Sequence, residues 1–114
     1  MKKYDWYWEK GLHDAVVTGI ESVELLYDYT QRKPLRNYFE IRLNSKPAMC
    51  DTTIKALRFY NFKLKKEIED IVGSWWVNDE VYEVGDKYGL IIHLGKPKKE
   101  MILEIIFEKA EIVR

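Results

Sequence analysis

Cysteine is nearly absent from this chain. Cys50 is the single one, which excludes an intramolecular disulfide and leaves no ligand spacing for a structural metal. Histidine is almost as scarce, with His13 and His93 alone, and a zinc site built on both would need a third ligand that the sequence does not identify. No metal or cofactor is therefore expected. Charge of one sign is also missing, because 19 Lys and Arg balance 19 Asp and Glu. Nucleic-acid-binding domains of this size carry a basic excess or stripe, since phosphate neutralisation supplies most of the affinity. Here the basic residues are dispersed apart from short clusters at 63–66 and 96–99, which read as solvated loops or a helix start. No nucleic-acid partner is expected. No apolar run approaches the roughly 20 residues that span a bilayer. After Met1-Lys2-Lys3 come Tyr4, Asp5, Trp6, Tyr7, Trp8 and Glu9, which is not the apolar core of a signal peptide. A cytoplasmic location without membrane contact follows as the expectation. A phosphate-cradling glycine loop is lacking too, because Gly85-Asp86-Lys87-Tyr88-Gly89 reads as a hairpin turn.

What is present in quantity is apolar and aromatic material. The chain is 46% hydrophobic and 33% charged over 114 residues, with four Trp and eight Tyr. That is a globular composition. A domain of this size buries roughly two-thirds of its unfolded surface without staples. No repeat, low-complexity tract or linker interrupts it, so residues 1–114 are expected to form one domain. The aromatic share, 14%, exceeds what so small an interior readily takes, so some rings should serve at the surface.

The patterning is mainly that of strands. Tyr4, Trp6 and Trp8 alternate with Asp5, Tyr7 and Glu9, the signature of a short strand or an edge-covering segment. Residues 15–29 are rich in β-branched and aromatic side chains and predict a long strand with a bulge near Gly19. Gln31-Arg32-Lys33-Pro34 predicts a turn. Phe39, Ile41 and Leu43 alternate with polar neighbours, which predicts a strand returning as the second arm of a hairpin. A third strand is expected over 52–62, with Leu57 and Phe59 on one face and Ile54, Ala56 and Tyr60 on the other. Leu64, Ile68, Ile71 and Val72 recur at helical spacing before Gly73, predicting one short helix docked on the sheet. Its lysines come early and its acids late, against the helix dipole. Strands are expected over 75–84, 88–94 and 101–113, with a turn at 85–87, a loop at 95–99, and a phase shift before Ala110 that suggests a bulge.

Candidate chemistry is sparse. His13 beside Asp14 offers a general base with a carboxylate, yet neighbours on an extended chain point to opposite faces. The alternative is an anchor at the start of a strand, with Asp14 bonding backbone in a turn; an anchoring His13 would cost stability when removed. His93 sits between Ile92 and Leu94 as a half-buried sheet residue. Cys50 beside Asp51 lacks a histidine and an oxyanion hole, and reads as a small semi-buried thiol. Trp75-Trp76 should place one ring in the core and one outward, and exposed Trp is enriched at interaction hot spots. The candidate binding residues are accordingly Trp6, Tyr7, Trp8, His13, Asp14, Trp75 and Trp76, with no catalytic set.

Three stretches carry a resemblance: Trp8-Glu9-Lys10-Gly11-Leu12-His13-Asp14-Ala15-Val16, Ile54-Lys55-Ala56-Leu57-Arg58-Phe59-Tyr60-Asn61-Phe62, and the hairpin from Gly89 to Ile112. In this order the chain resembles small bacterial β-rich proteins that include immunity proteins of polymorphic-toxin systems. It departs from them over residues 63–76. The resemblance implies a protein that binds and neutralises a cognate toxin without catalysis. The expected fold is α+β, mostly β, a curved antiparallel sheet or partial barrel with one short helix. The expected function is a non-enzymatic protein-binding module. The alternatives are a small-molecule-binding β-domain using Trp6, Trp8 and Trp75 or Trp76, an uncharacterised structural domain, or a hydrolase centred on His13 and Asp14.

Overall fold

The computed structural model describes residues 7, 11–23, 27–28, 30, 33–34, 38–47, 52–68 and 70–114. Among them the secondary structure is β throughout: β1 (Val16–Val23), β2 (Tyr27–Asp28), β3 (Lys33–Pro34), β4 (Tyr38–Asn44), β5 (Ala56–Tyr60), β6 (Lys63–Leu64), β7 (Trp75–Val84), β8 (Lys87–Lys96), β9 (Lys99–Phe107) and β10 (Lys109–Val113). Eight strands form one antiparallel sheet in the order β10-β5-β4-β1-β7-β8-β9-β6, and β2 pairs with β3 apart from it. The mostly-β expectation holds.

Period-2 alternation explains the strands. On β4, Phe39, Ile41 and Leu43 are buried while Arg42 and Asn44 face solvent. On β9, Met101, Leu103, Ile105 and Phe107 point inward. The expected hairpin joins β1 to β4, and its register shifts between Val17 and Gly19, where the bulge was expected. The long strand over 15–29 is not continuous, however, since β1 ends at Val23. The antiparallel count from Val23↔Tyr38 continues into Tyr27↔Pro34 and Asp28↔Lys33. Lys33 and Pro34 therefore extend the hairpin and do not form its turn.

Two strands bend, one where the third strand was expected to stop and one where the phase shift before Ala110 suggested a bulge. β5 passes into β6 through Asn61, whose φ is +53°, and β9 passes into β10 at Glu108. One pairing count covers both halves, from Ala56↔Val113 through Tyr60↔Lys109 to Lys63↔Ile106. Asn61 Nδ2 donates to Glu108 Oε2 at 2.6 Å and ties the two bends together. The outermost strands of the sheet, β10 and β6, are thus continuations of β9 and β5, so the sheet curls over. Its inward side chains meet in one core, where the Phe59 and Phe107 rings lie 4.9 Å apart. Ile54 joins that core and does not share the outward face of Ala56 and Tyr60. It precedes the ladder, so strand alternation does not apply to it.

Among the described residues the expected helix is not seen. Lys63 and Leu64 pair with Ile106 and Ile105 as β6, and no helix occurs among the described residues. Ile71 is buried, and Leu64 and Ile68 pack against the core, so the apolar residues reach the interior from an irregular path. Local bonds fix its end. The Val72 N–H donates to Asp70 Oδ1 at 3.3 Å, Ser74 Oγ–H to the Ile71 carbonyl at 2.5 Å, and Gly73 turns with φ +91°. A charge order opposed to the dipole left little intrinsic helix to resist these contacts.

The chain then enters β7 beside β1. Asp14 N–H donates to the Trp76 carbonyl, Trp76 N–H to Ala15, Val17 N–H to Ser74 and Gly73 N–H to Val17, all within 2.7–2.8 Å. The β7–β8 turn is Gly85-Asp86 alone, with Val84 paired to Lys87. The expected loop at 95–99 is likewise a two-residue turn, Pro97-Lys98, because Lys96 pairs with Lys99.

Candidate functional site

The long strands β7, β8 and β9 turn one face to the core and the other outward. Trp75 and Trp76 divide between the two. Trp76 is 1% exposed, and its indole N–H donates to Asp79 Oδ2 at 2.9 Å. The other oxygen of Asp79 accepts the Tyr7 hydroxyl at 2.5 Å. Burial, reinforced by that carboxylate, holds the Tyr7 phenol protonated well above the usual tyrosine range. Tyr7 is thus tied to β7 and packed against the core. Trp6 and Trp8 lie outside the described residues.

Trp75 points outward and is 36% exposed. Its pairing partner on β8 is Gly95, and a Cβ built there would stand 2.9 Å from the indole nitrogen. The ring therefore lies against the sheet over a residue with no side chain, a packing that only glycine permits. Six residues along β8 the device recurs. Tyr82 pairs with Gly89, and a Cβ at Gly89 would stand only 2.1–2.5 Å from three carbons of the phenol ring. Tyr82 reaches across β8 to donate its hydroxyl to Glu104 Oε2 at 2.5 Å. Burial, with that carboxylate second, pushes its pKa up to about 12.

Between the two flat rings lie the cross-strand rows Asn78–His93–Ile102 and Glu80–Ile91–Glu104. Ile102 is 45% exposed. His93 is half-buried, as expected, and its Nε2 lies 3.1 Å from Glu80 Oε2. Beside Trp75 the β8–β9 turn walls a shallow cleft of about 390 Å³, lined among others by Val77, Lys96, Lys98, Lys99 and Glu100. An indole plane, an exposed isoleucine and a lysine rim suit non-covalent docking of an apolar group with polar surroundings.

The outward face of β1, β4, β5 and β10 is built differently. Glu40, nearly buried, accepts Arg58 Nε at 2.6 Å and Arg42 Nε at 3.1 Å. Arg42 also meets Glu21, and Arg58 meets Glu111. The Arg58 guanidinium stands over the Tyr38 ring at 5.4 Å. These charges satisfy one another within the sheet.

His13 and Asp14 do touch, contrary to the opposite-face expectation. They sit in a turn, where Asp14 takes φ +73° and brings its Oδ2 to 3.2 Å from His13 Nδ1. The His13 side chain is 57% exposed, so it does not anchor the strand from within. Backbone does that, through Asp14 N–H and the Ala15 N–H bond to Leu12. The turn stands apart from the Trp75 cleft lining. Cys50 lies outside the described residues, and among those described no three His, Cys, Asp or Glu side chains gather as metal ligands. No described helix is long and apolar enough to cross a membrane.

Sequence reasoning singled out Trp75 but missed Asp79, Gly89, Gly95, Tyr82 and Ile102. Comparison with protein-family profiles, with curated proteins and with solved structures finds no match for this chain.

Proposed function

We propose that this chain is a non-enzymatic, cytoplasmic protein-binding module that works through the outward face of β7, β8 and β9. In line with its resemblance, it would serve as an immunity protein neutralising a cognate bacterial toxin. The observation that carries the reading is Trp75, turned out of the core and laid flat over Gly95. A rigid ring that cannot sink further into the sheet loses little freedom on binding, and such aromatics dominate interface energetics. Ile102 extends the apolar contact, while Glu80, His93, Glu104 and the lysines of the β8–β9 turn supply a polar rim.

Co-expression with a toxin encoded next to this chain tests the proposal. The wild-type chain should form a purifiable complex with the toxin and restore growth. Trp75→Ala should lose both while keeping its circular-dichroism spectrum. A toxin that is neutralised equally well by Trp75→Ala, or a chain that does not bind the neighbouring product, would overturn it.

A further inference from the structure

One edge of β7 is left open by its neighbours. Among the described residues β1 and β7 pair only at Val16 and Trp75, and the backbone bonds joining the two segments reach no further along β7 than Trp76. On the other side, the two-residue turn at Gly85-Asp86 makes Val84 and Lys87 the closing pair of the β7–β8 ladder. The alternation of an antiparallel pair then directs the backbone groups of Glu80 and Tyr82 to β8, and those of Val81 and Glu83 to the open edge. No backbone bond joins the edge groups of Val81 and Glu83 to any other described residue. The strands flanking the gap also lack cations: Val16–Val23 and Trp75–Val84 contain no Lys or Arg, but carry Glu21, Asp79, Glu80 and Glu83. Arg42 meets Glu21, His93 lies against Glu80, and Asp79 holds Tyr7 and Trp76. Glu83 is exposed, with no ion pair among the described residues. Lys87 lies on β8, across β7 from the open edge.

We infer that the partner adds an extended segment to β7 as a further strand, with an apolar side chain opposite Val81 and a basic one opposite Glu83. An unpaired edge selects an extended polypeptide, because its donors and acceptors repeat at the spacing of another strand's backbone. Val81 packs against the core but is only partly buried, so an apolar neighbour gains cover there. A second copy of this chain fits badly. Pairing β7 with itself brings two sets of Asp79, Glu80 and Glu83 together without a cation, and like charges facing across a ladder are destabilising. The inference depends on the reading of β7, β8 and β9 as a protein-binding surface and adds the form and charge of what the partner presents.

Hydrogen exchange and amide NMR shifts of the isotope-labelled full chain test it. In the free chain the Val81 and Glu83 amides should exchange faster than those of Glu80 and Tyr82, which bond to β8. Equal protection would show the edge already covered and overturn the inference. The acetylated peptide Thr-Lys-Thr-Val-Lys-Thr, antiparallel to β7, sets its first lysine opposite Glu83 and its valine opposite Val81. It should saturate, slow exchange at both amides and shift signals from Glu80 to Val84. Its affinity should fall by about fivefold in Glu83→Lys, whose remaining spectrum is unchanged. Thr-Glu-Thr-Val-Glu-Thr should not bind. Nor should the basic peptide once methylated on the nitrogens of its first lysine and its valine, which removes its donors to the Glu83 and Val81 carbonyls. Equal binding by either control, shifts away from β7, or no saturation overturns the inference, and self-association that slows the two amides would assign the edge to a second copy instead. A toxin complex lost in Trp75→Ala but unaffected by Glu83→Lys would retain the proposed function and reject the added strand.

Discussion

A single side chain means different things here according to which way the strand turns it. His13 drew attention as one of two histidines, yet its ring is mostly in solvent. His13→Ala should therefore change unfolding free energy by no more than about 0.5 kcal/mol, the usual range for surface substitutions; chemical denaturation measures this. Tyr82 looked unremarkable among eight tyrosines and is tied down over Gly89 with its hydroxyl on Glu104. A phenol is uncharged when protonated, and burial raises its folded pKa from 10 to about 12. The folded state thus binds this proton more tightly than the unfolded chain does. The resulting stabilisation is fully present below pH 10 and is lost as pH rises through about 12. Alkaline titration at the phenolate absorbance should show Tyr82 ionising late, and Tyr82→Phe should remove that late component together with its part of the alkaline loss of stability.

At the scale of the element, the β8–β9 turn shows local preference yielding to register. Pro97 holds its own φ near −65°, which leaves the second turn position to take positive φ, as in a type II turn. That position is Lys98, at +64°, where glycine is the favoured residue. Lys98→Gly should stabilise the fold by up to about 1 kcal/mol by relieving the left-handed strain, visible as a higher denaturation midpoint. The segment over 64–72 makes the converse point. Its helical spacing is real, but β6 captures Leu64 by pairing with β9, and Ile71 fills the core from a turn.

For the whole molecule, the curl of the sheet is what makes one core out of its eight short and long strands. The inward residues of β4, β5 and β10 meet those of β7, β8 and β9, and no described helix covers either side. Trp76 stands where β7 meets β1. Trp76→Ala removes a buried ring and leaves Asp79 without its indole donor, so it should cost about 3–5 kcal/mol, in the range of large-to-small core changes. Unfolding followed by circular dichroism and by fluorescence should shift together, as one cooperative core requires. Separate transitions for the two halves of the sheet would show that the curl does not couple them. The far-UV spectrum should be dominated by β-structure.

Strand content was legible because alternation is written residue by residue: Phe39-Ile41-Leu43 and Met101-Leu103-Ile105-Phe107 announce a one-sided surface before any fold is known. The bulge near Gly19, and the division of Trp75 and Trp76 between two faces, follow from the same local geometry. Even Tyr82 over Gly89 could have been counted back from the two-residue Gly85-Asp86 turn. Trp75 over Gly95 could not, because the register shifts between Trp76 and Asn78, and the sequence around Val77 carries no mark of it. The path of the described residues within 64–72, the bend at Asn61, the pairing of Tyr7 and Trp76 on Asp79, and the placing of the β8–β9 turn beside an exposed indole belong to the tertiary structure alone, whereas the break at Glu108 showed in the sequence as the phase shift before Ala110. Each depends on contacts between strands far apart in the chain. Local propensity is worth a fraction of a kcal/mol per residue, whereas burying one large apolar side chain is worth about 1.5–3 kcal/mol, so the distant contact prevails wherever the two disagree.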